Sequence, residues 1–279
     1  MTEVISGLGE LGRRFDSLLC DVWGVIHNGR ESFPEACAAL ARWRAQIGPV
    51  ILISNAPRPA EAVARQLDGL DVPRGSWSAI VTSGDVGRSL LAARAPGPAL
   101  RIGPAKDDPL YDGLGLEFAS VETAAFIACS GPNDEDVETP EDYRAVLTLA
   151  AGRGLSMICA NPDLVVQRGD ALIYCAGALA KLYEAIGGEV IWAGKPYAPI
   201  YDLAYEMAGR PERNRVLAIG DGLLTDLTGA REQGLDALFV ADGVHAAEAL
   251  TPDGEIDAAR LSALLAPSLP AFAMRSLVW

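Results

Sequence analysis

LLCDVWGVIHNG, residues 18–29, sets an apolar run directly against a carboxylate, Asp21, with Gly24 three residues further on. A short run of β-formers that ends in a charged residue and a glycine reads as a buried strand stopping at a loop. Four more runs have that form: VILIS (50–54), EVIWA (189–193), RVLAI (215–219) and ALFVA (237–241). Helical patterns separate them. SFPEACAALARWRAQIG (32–48) offers Ser32 as a cap, Pro34 in the first turn, and Leu40, Trp43 and Ile47 at helical spacing. PRPAEAVARQLDGL (57–70) and YAPIYDLAYEMAG (197–209) have the same character. The alternation predicts an α/β protein whose sheet is mainly parallel and covered on both faces.

Between VILIS and EVIWA, about a hundred residues repeat the alternation by themselves. ALRIGP (99–104), AFIACSG (125–131) and LSMICANPD (155–163) read as strands, and TPEDYRAVLTLAAGRG (139–154) and GALAKLYEAIGG (177–188) as helices. An insertion of that length with its own elements is a domain, not a loop. The expected organisation is a Rossmann-like parallel-sheet core, residues 1–83 and 190–279, interrupted by an inserted α/β domain, residues 84–189. EVIWA is read as a core strand, and 80–84 and 187–189 as hinges.

Composition narrows the chemistry. The 279 residues carry 37 acidic and 23 basic side chains, a formal charge of −14 with no basic run, which repels a phosphate backbone and predicts no nucleic-acid partner. No uncharged apolar stretch approaches the ~18 residues of a membrane span, and the first residues lack a basic start followed by an apolar segment. A cytoplasmic protein without a membrane partner is expected. The five cysteines are widely spaced inside apolar runs and read as reduced core residues. Only His27 and His245 are histidines, and only Lys106, Lys181 and Lys195 are lysines, so multi-histidine metal sites are excluded and each lysine carries weight. GLGELG (7–12) fits the GxGxxG dinucleotide pattern, but too few residues precede it for an entering strand.

Polar residues follow the runs in a consistent way: Asp21 after the first, Ser54 and Asn55 after the second, Lys195 after the third, Asp221 after the fourth. Ligands of open α/β sheets bind outside the carboxyl ends of the strands, so these groups converge on one crevice. Asp21, Asp221 and Asp226 supply hard oxygen ligands suited to Mg²⁺ rather than zinc. Lys195, Ser54 and the amides near Gly24 and Asn55 suit a dianionic phosphoryl group.

DVWGV, LISNA, AGKP and GDGLLTD, in that order and each closing an apolar run, resemble the four motifs of the haloacid dehalogenase superfamily. The long insertion before GKP, with CANPD (159–163), resembles its class IIA branch, which includes N-acetylglucosamine-operon and nitrophenyl-phosphatase-like sugar and nucleotide phosphatases. The resemblance spans roughly residues 17 to 243. It implies a Mg²⁺-dependent hydrolase of a small phosphorylated metabolite, with the insertion as a cap. Asp21 would be nucleophile and metal ligand, residue 23 would give its backbone carbonyl to Mg²⁺, Ser54 would hold the phosphoryl group and Lys195 would neutralise it. Asp221 would ligate the metal, Asp226 would support it, and Asn161 and Asp163 would lie where the cap returns toward the substrate. The departure is Trp23, which stands where the family's phosphatases normally place an aspartate that protonates the leaving group. A general acid or base contributes ~10² to 10⁴ in rate, so the alternative is a phosphate-binding or regulatory protein with little turnover. His27 is the nearest titratable side chain, and Trp23 is also read as an aromatic wall against cap or flap. Oligomeric state, a homo-oligomer included, is left open.

Overall fold

The computed structural model describes residues 2–168, 171–266 and 269–279. In chain order its strands are β1 (Glu3–Val4), β2 (Ser17–Cys20), β3 (Val50–Ser54), β4 (Ala79–Thr82), β5 (Ala99–Ile102), β6 (Phe126–Cys129) and β7 (Ser156–Cys159). There follow β8 (Val165–Arg168), β9 (Ala171–Tyr174), β10 (Glu189–Trp192), β11 (Val216–Gly220), β12 (Asp236–Val240) and β13 (Phe272–Met274). The chain forms two compact units: Met1–Ser54, Ala64–Val81 and Tyr201–Trp279 make one, and Asn55–Val63 with Thr82–Ile200 make the other.

The first unit is built on a seven-stranded sheet in the order β1-β13-β12-β11-β2-β3-β4. Its pairs β1–β13, β13–β12, β12–β11, β11–β2 and β2–β3 are parallel. Every residue of β2, β3 and β11 is buried. Strands covered on both faces read as unbroken apolar runs, which is why LLC, VILIS and VLAI stand out in the sequence. From β2 the chain moves to β3 and β4 on one side and later returns to β11 on the other. The topological switch therefore lies between β2 and β11, where α/β sheets bind ligands.

Local readings in this unit hold with shifted ends. The helix Pro34–Gln46 starts on Pro34 and buries Leu40 and Trp43, but its cap is Phe33, because Ser32 is taken up in a bridge with His27. GLGELG contains one 3₁₀ turn, Leu8–Leu11, after the two-residue β1, not a helix entered from a strand. The C-terminal residues Phe272–Met274 form β13 between β1 and β12, a strand that no local pattern announces. All five cysteines are buried thiols.

The second unit carries a four-stranded parallel sheet, β10-β7-β6-β5. Ile127, Met157, Cys159, Leu147, Leu179 and Tyr183 form its core. A separate antiparallel hairpin, β8–β9, pairs Val165 with Tyr174. The expectation that EVIWA belongs to the first sheet is corrected here: β10 pairs with β7, Val190 opposite Met157 and Trp192 opposite Cys159. An apolar run specifies a buried strand but not its neighbour, and the same side chains fit either sheet. The chain accordingly leaves the second unit at Ile200, not at the expected 189–190 boundary, and Asn55–Val63 also lies in that unit. No helix among the described residues is long and apolar enough to cross a membrane.

Candidate active site

In the first unit the site forms at the switch point. Asp21 follows the last residue of β2, and its N–H still donates to Ile219 O at 2.8 Å, so the strand ladder fixes its backbone. Asp221 follows β11, the adjacent strand. Asp226 sits in a π-helical turn, Leu223–Leu227, closed by the N–H groups of Asp226 and Leu227, both donating to Gly222 O at 3.0 Å. Its Oδ2 accepts from Gly222 N–H at 3.1 Å. Carboxylate oxygens of Asp21, Asp221 and Asp226 lie within 4.8 Å of one another, on side chains only 8 %, 5 % and 5 % exposed.

Such a cluster favours a positive charge beside it. Two like charges at that separation repel by roughly 3 kcal/mol at an effective dielectric of 20, and burial weakens the water that would otherwise screen them. Three hard carboxylate donors are compatible with a divalent cation.

The surrounding backbone is shaped to this cluster. Gly24 has φ +81°, and a Cβ there would lie 2.1 Å from Asp221 Oδ2, so conformation and space both demand glycine. At Gly243 a Cβ would lie 2.2 Å from the same oxygen, and the next residue, Val244, donates its N–H to it at 2.7 Å. Gly243 and Val244 were not among the sequence candidates, although ALFVA followed by Asp242-Gly243 repeats the strand-then-loop form of the other site residues.

Trp23 is half-buried and packs on the loop after β2. Its indole packs edge-to-face on His27, centroids 5.1 Å apart at 73°, and covers Gly29, where a Cβ would strike the ring at 2.3 Å. His27 is 2 % exposed, and its Nδ1 accepts from Gly29 N–H at 2.9 Å. Nδ1 is then unprotonated, and burial lowers the imidazole pKa to about 4, so the ring is neutral at physiological pH.

Ser54, 8 % exposed, ends β3. The other sequence candidates gather in the second unit. Asn55 Nδ2 donates to Asp163 Oδ1 at 2.8 Å and to Lys195 O at 3.2 Å, while its Oδ1 accepts from Lys195 N–H at 2.7 Å. Asn161 Oδ1 accepts from Asp163 N–H at 3.1 Å. Lys195 is 2 % exposed and Asn161 8 %. The loops after β7 and β10 are therefore laced together at neighbouring strand ends.

A buried cluster of three carboxylates that could hold a cation thus lies at the switch point of a parallel α/β sheet. Residues 18–117 match the haloacid dehalogenase-like hydrolase model, and residues 192–266 the HAD-hydrolase-like model. A haloacid dehalogenase-like hydrolase of Brucella suis 1330, of known structure, is 43 % identical over 99 % of this chain and 100 % of its own, with a TM-score of 0.86. The chain belongs to this family and is an enzyme of the haloacid dehalogenase-like hydrolase type. Among other relatives, a D-glycerol 3-phosphate phosphatase of Mycobacterium tuberculosis is 30 % identical, covering 85 % of this chain and 66 % of its own. The 5'-nucleotidase YutF of Bacillus subtilis is 26 % identical, covering 87 % and 93 %.

Proposed function

We propose that the protein is a Mg²⁺-dependent phosphoric monoester hydrolase acting on a small sugar- or nucleotide-phosphate type of metabolite. The observation that carries this reading is the buried Asp21–Asp221–Asp226 cluster at the switch point. The named activities of the two relatives, a glycerol phosphate phosphatase and a nucleotidase, support the substrate class.

Asp21, Asp221 and the Trp23 backbone carbonyl would hold Mg²⁺, with Asp226 at its edge; when bound, the ion supplies charge neutralisation for the phosphoryl oxygens. An Asp21 carboxylate oxygen attacks phosphorus, and the bond to the leaving oxygen breaks with its electron pair on that oxygen. Water then cleaves the aspartyl phosphate, restoring the Asp21 carboxylate and releasing inorganic phosphate. In this reading the Ser54 hydroxyl would donate to the phosphoryl group, the Lys195 ammonium would balance its charge, and Asn161 and Asp163 would be substrate-binding residues of the inserted domain. Phosphate release from a panel of esters with Mg²⁺ tests this reading. Asp21→Asn is expected to lose at least about 10³-fold in kcat, and native turnover no faster than that variant on every ester would refute it.

A second reading, a phosphate-ester-binding protein with little turnover, is favoured by the Trp23–His27 packing, which offers no ready proton donor. Calorimetry would then show ligand binding without product; rapid multiple turnover of the same ligand removes it.

A further inference from the structure

The carboxamide of Asn55 is fully engaged. Both of its N–H functions donate within the second unit, to a carboxylate and to a backbone carbonyl, and its oxygen accepts a backbone N–H. Its orientation is dictated by these partners: exchanging O and N would set oxygen against two acceptors and nitrogen against a donor. Asn55 is 5 % exposed, and Gly194 leaves room for it, since a Cβ there would lie 2.4 Å from its Oδ1. The side chain therefore grips the Lys195 backbone from both sides, as a neighbouring strand would, and pins the Asp163 carboxylate beside it. Two further bonds stiffen the same loop, Asp163 N–H to Asn161 Oδ1 and Ser83 Oγ to Ala160 O at 2.5 Å.

We propose that Asn55 is a positioning residue, not a substrate ligand: it fixes the backbone from which the Lys195 ammonium is presented and ties it to Asp163. This rests on the phosphohydrolase reading for its kinetic consequence, though not for the geometry itself. A buried lysine acting as a counter-charge has to be held to within a fraction of an ångström, and a misplacement of about 1 Å costs ~10²-fold in rate.

The test compares Asn55→Ala, Asn55→Asp, Asp163→Asn and the double variant Asn55→Asp/Asp163→Asn, with p-nitrophenyl phosphate and Mg²⁺. Asn55→Asp keeps the acceptor for Lys195 N–H but sets a carboxylate oxygen against Asp163 and Lys195 O; the double variant restores the bond between residues 55 and 163 with the shape unchanged, leaving only the bond to Lys195 O unmade. The expected result is a kcat lowered about 10- to 100-fold in Asn55→Ala and Asn55→Asp, with KM within about threefold, and at least about tenfold recovery in the double variant over Asn55→Asp. A raised KM with kcat intact would make Asn55 a substrate contact. A double variant no better than Asn55→Asp would equally overturn the proposal. Hydrogen–deuterium exchange of peptides spanning 160–164 and 193–197 supplies a readout independent of turnover: exchange should quicken in Asn55→Asp and slow again in the double variant. If the native protein turns over no ester, the phosphohydrolase reading fails while exchange still decides the role of Asn55, and unchanged exchange in Asn55→Asp rejects it. Should Asn55→Ala fail to fold, the isosteric pair carries the test.

Discussion

Trp23 is where this chain's chemistry departs most from its family resemblance. Its indole rests on His27 and Gly29, and the one nearby imidazole is buried, neutral and already bonded through Nδ1. If Trp23 leaves the proposed site without a proton donor, the leaving group departs as an anion. Aryl phosphates are therefore expected to be hydrolysed about 10² to 10⁴ times faster than alkyl phosphates, and Trp23→Asp should narrow that gap, as steady-state rates on matched ester pairs will measure. Equal rates in the native protein would mean that another group gives the proton. Gly243 sets a second limit at one atom's distance. Adding a methyl group 2.2 Å from Asp221 Oδ2 displaces the carboxylate of a proposed metal ligand, so Gly243→Ala is expected to weaken Mg²⁺ binding about 10- to 100-fold by calorimetric titration.

Among the elements, the 3₁₀ segment Ala105–Leu110 after β5 carries an electrostatic cost. Asp107 is 1 % exposed and neither of its carboxylate oxygens is hydrogen-bonded. Burial raises its pKa, against a smaller opposing pull from the Ser130 hydroxyl and the Lys106 and Arg58 charges. A carboxyl whose folded pKa exceeds its unfolded value binds protons more tightly in the native state. Stability is then greatest below the unfolded pKa and falls as pH rises through the folded one. Asp107→Asn removes the titration. It is expected to be more stable than the native protein at pH 7.5, by about 1–3 kcal/mol, with the advantage shrinking toward pH 4; urea unfolding at the two pH values measures it. An equal gain at both would rule out titration as the cause.

For the whole molecule, the proposed metal would be linked to the fold through three clustered carboxylates, two after strands and one in the following π-helical turn. Mg²⁺ at a hundred times its Kd is expected to stabilise the native state by about 2.7 kcal/mol, visible as a rise in Tm that EDTA reverses. Asp226→Asn relieves part of the repulsion while its Oδ1 can still accept from Gly222 N–H. It should melt above the native protein in EDTA and respond less to Mg²⁺; a native-like response would place Asp226 outside the metal's influence.

Asp21 and Asp221 were legible in the chain because each directly follows a buried strand, and both strand and stop are local patterns; Asp226 lies further on, in the π-helical turn Leu223–Leu227. The α/β class and the inserted unit were legible for the same reason. EVIWA was not: its apolar run marks a buried strand, but whether β10 lies against β7 or in the first sheet depends on residues more than thirty positions away. The β13 strand at Phe272–Met274 escaped likewise, being three residues long and defined by its partners β1 and β12. Asn55 shows the same division within one side chain. Its place after a strand was plain, yet its carboxamide is consumed by Asp163 and Lys195, 108 and 140 residues further on. Hydrophobic periodicity and strand-end polarity act over a few neighbouring residues, so the sequence alone carries the element types and the carboxylates of the site. Strand partners, unit boundaries and the saturation of Asn55 depend on groups brought together from distant parts of the chain, and only packing in three dimensions selects among them.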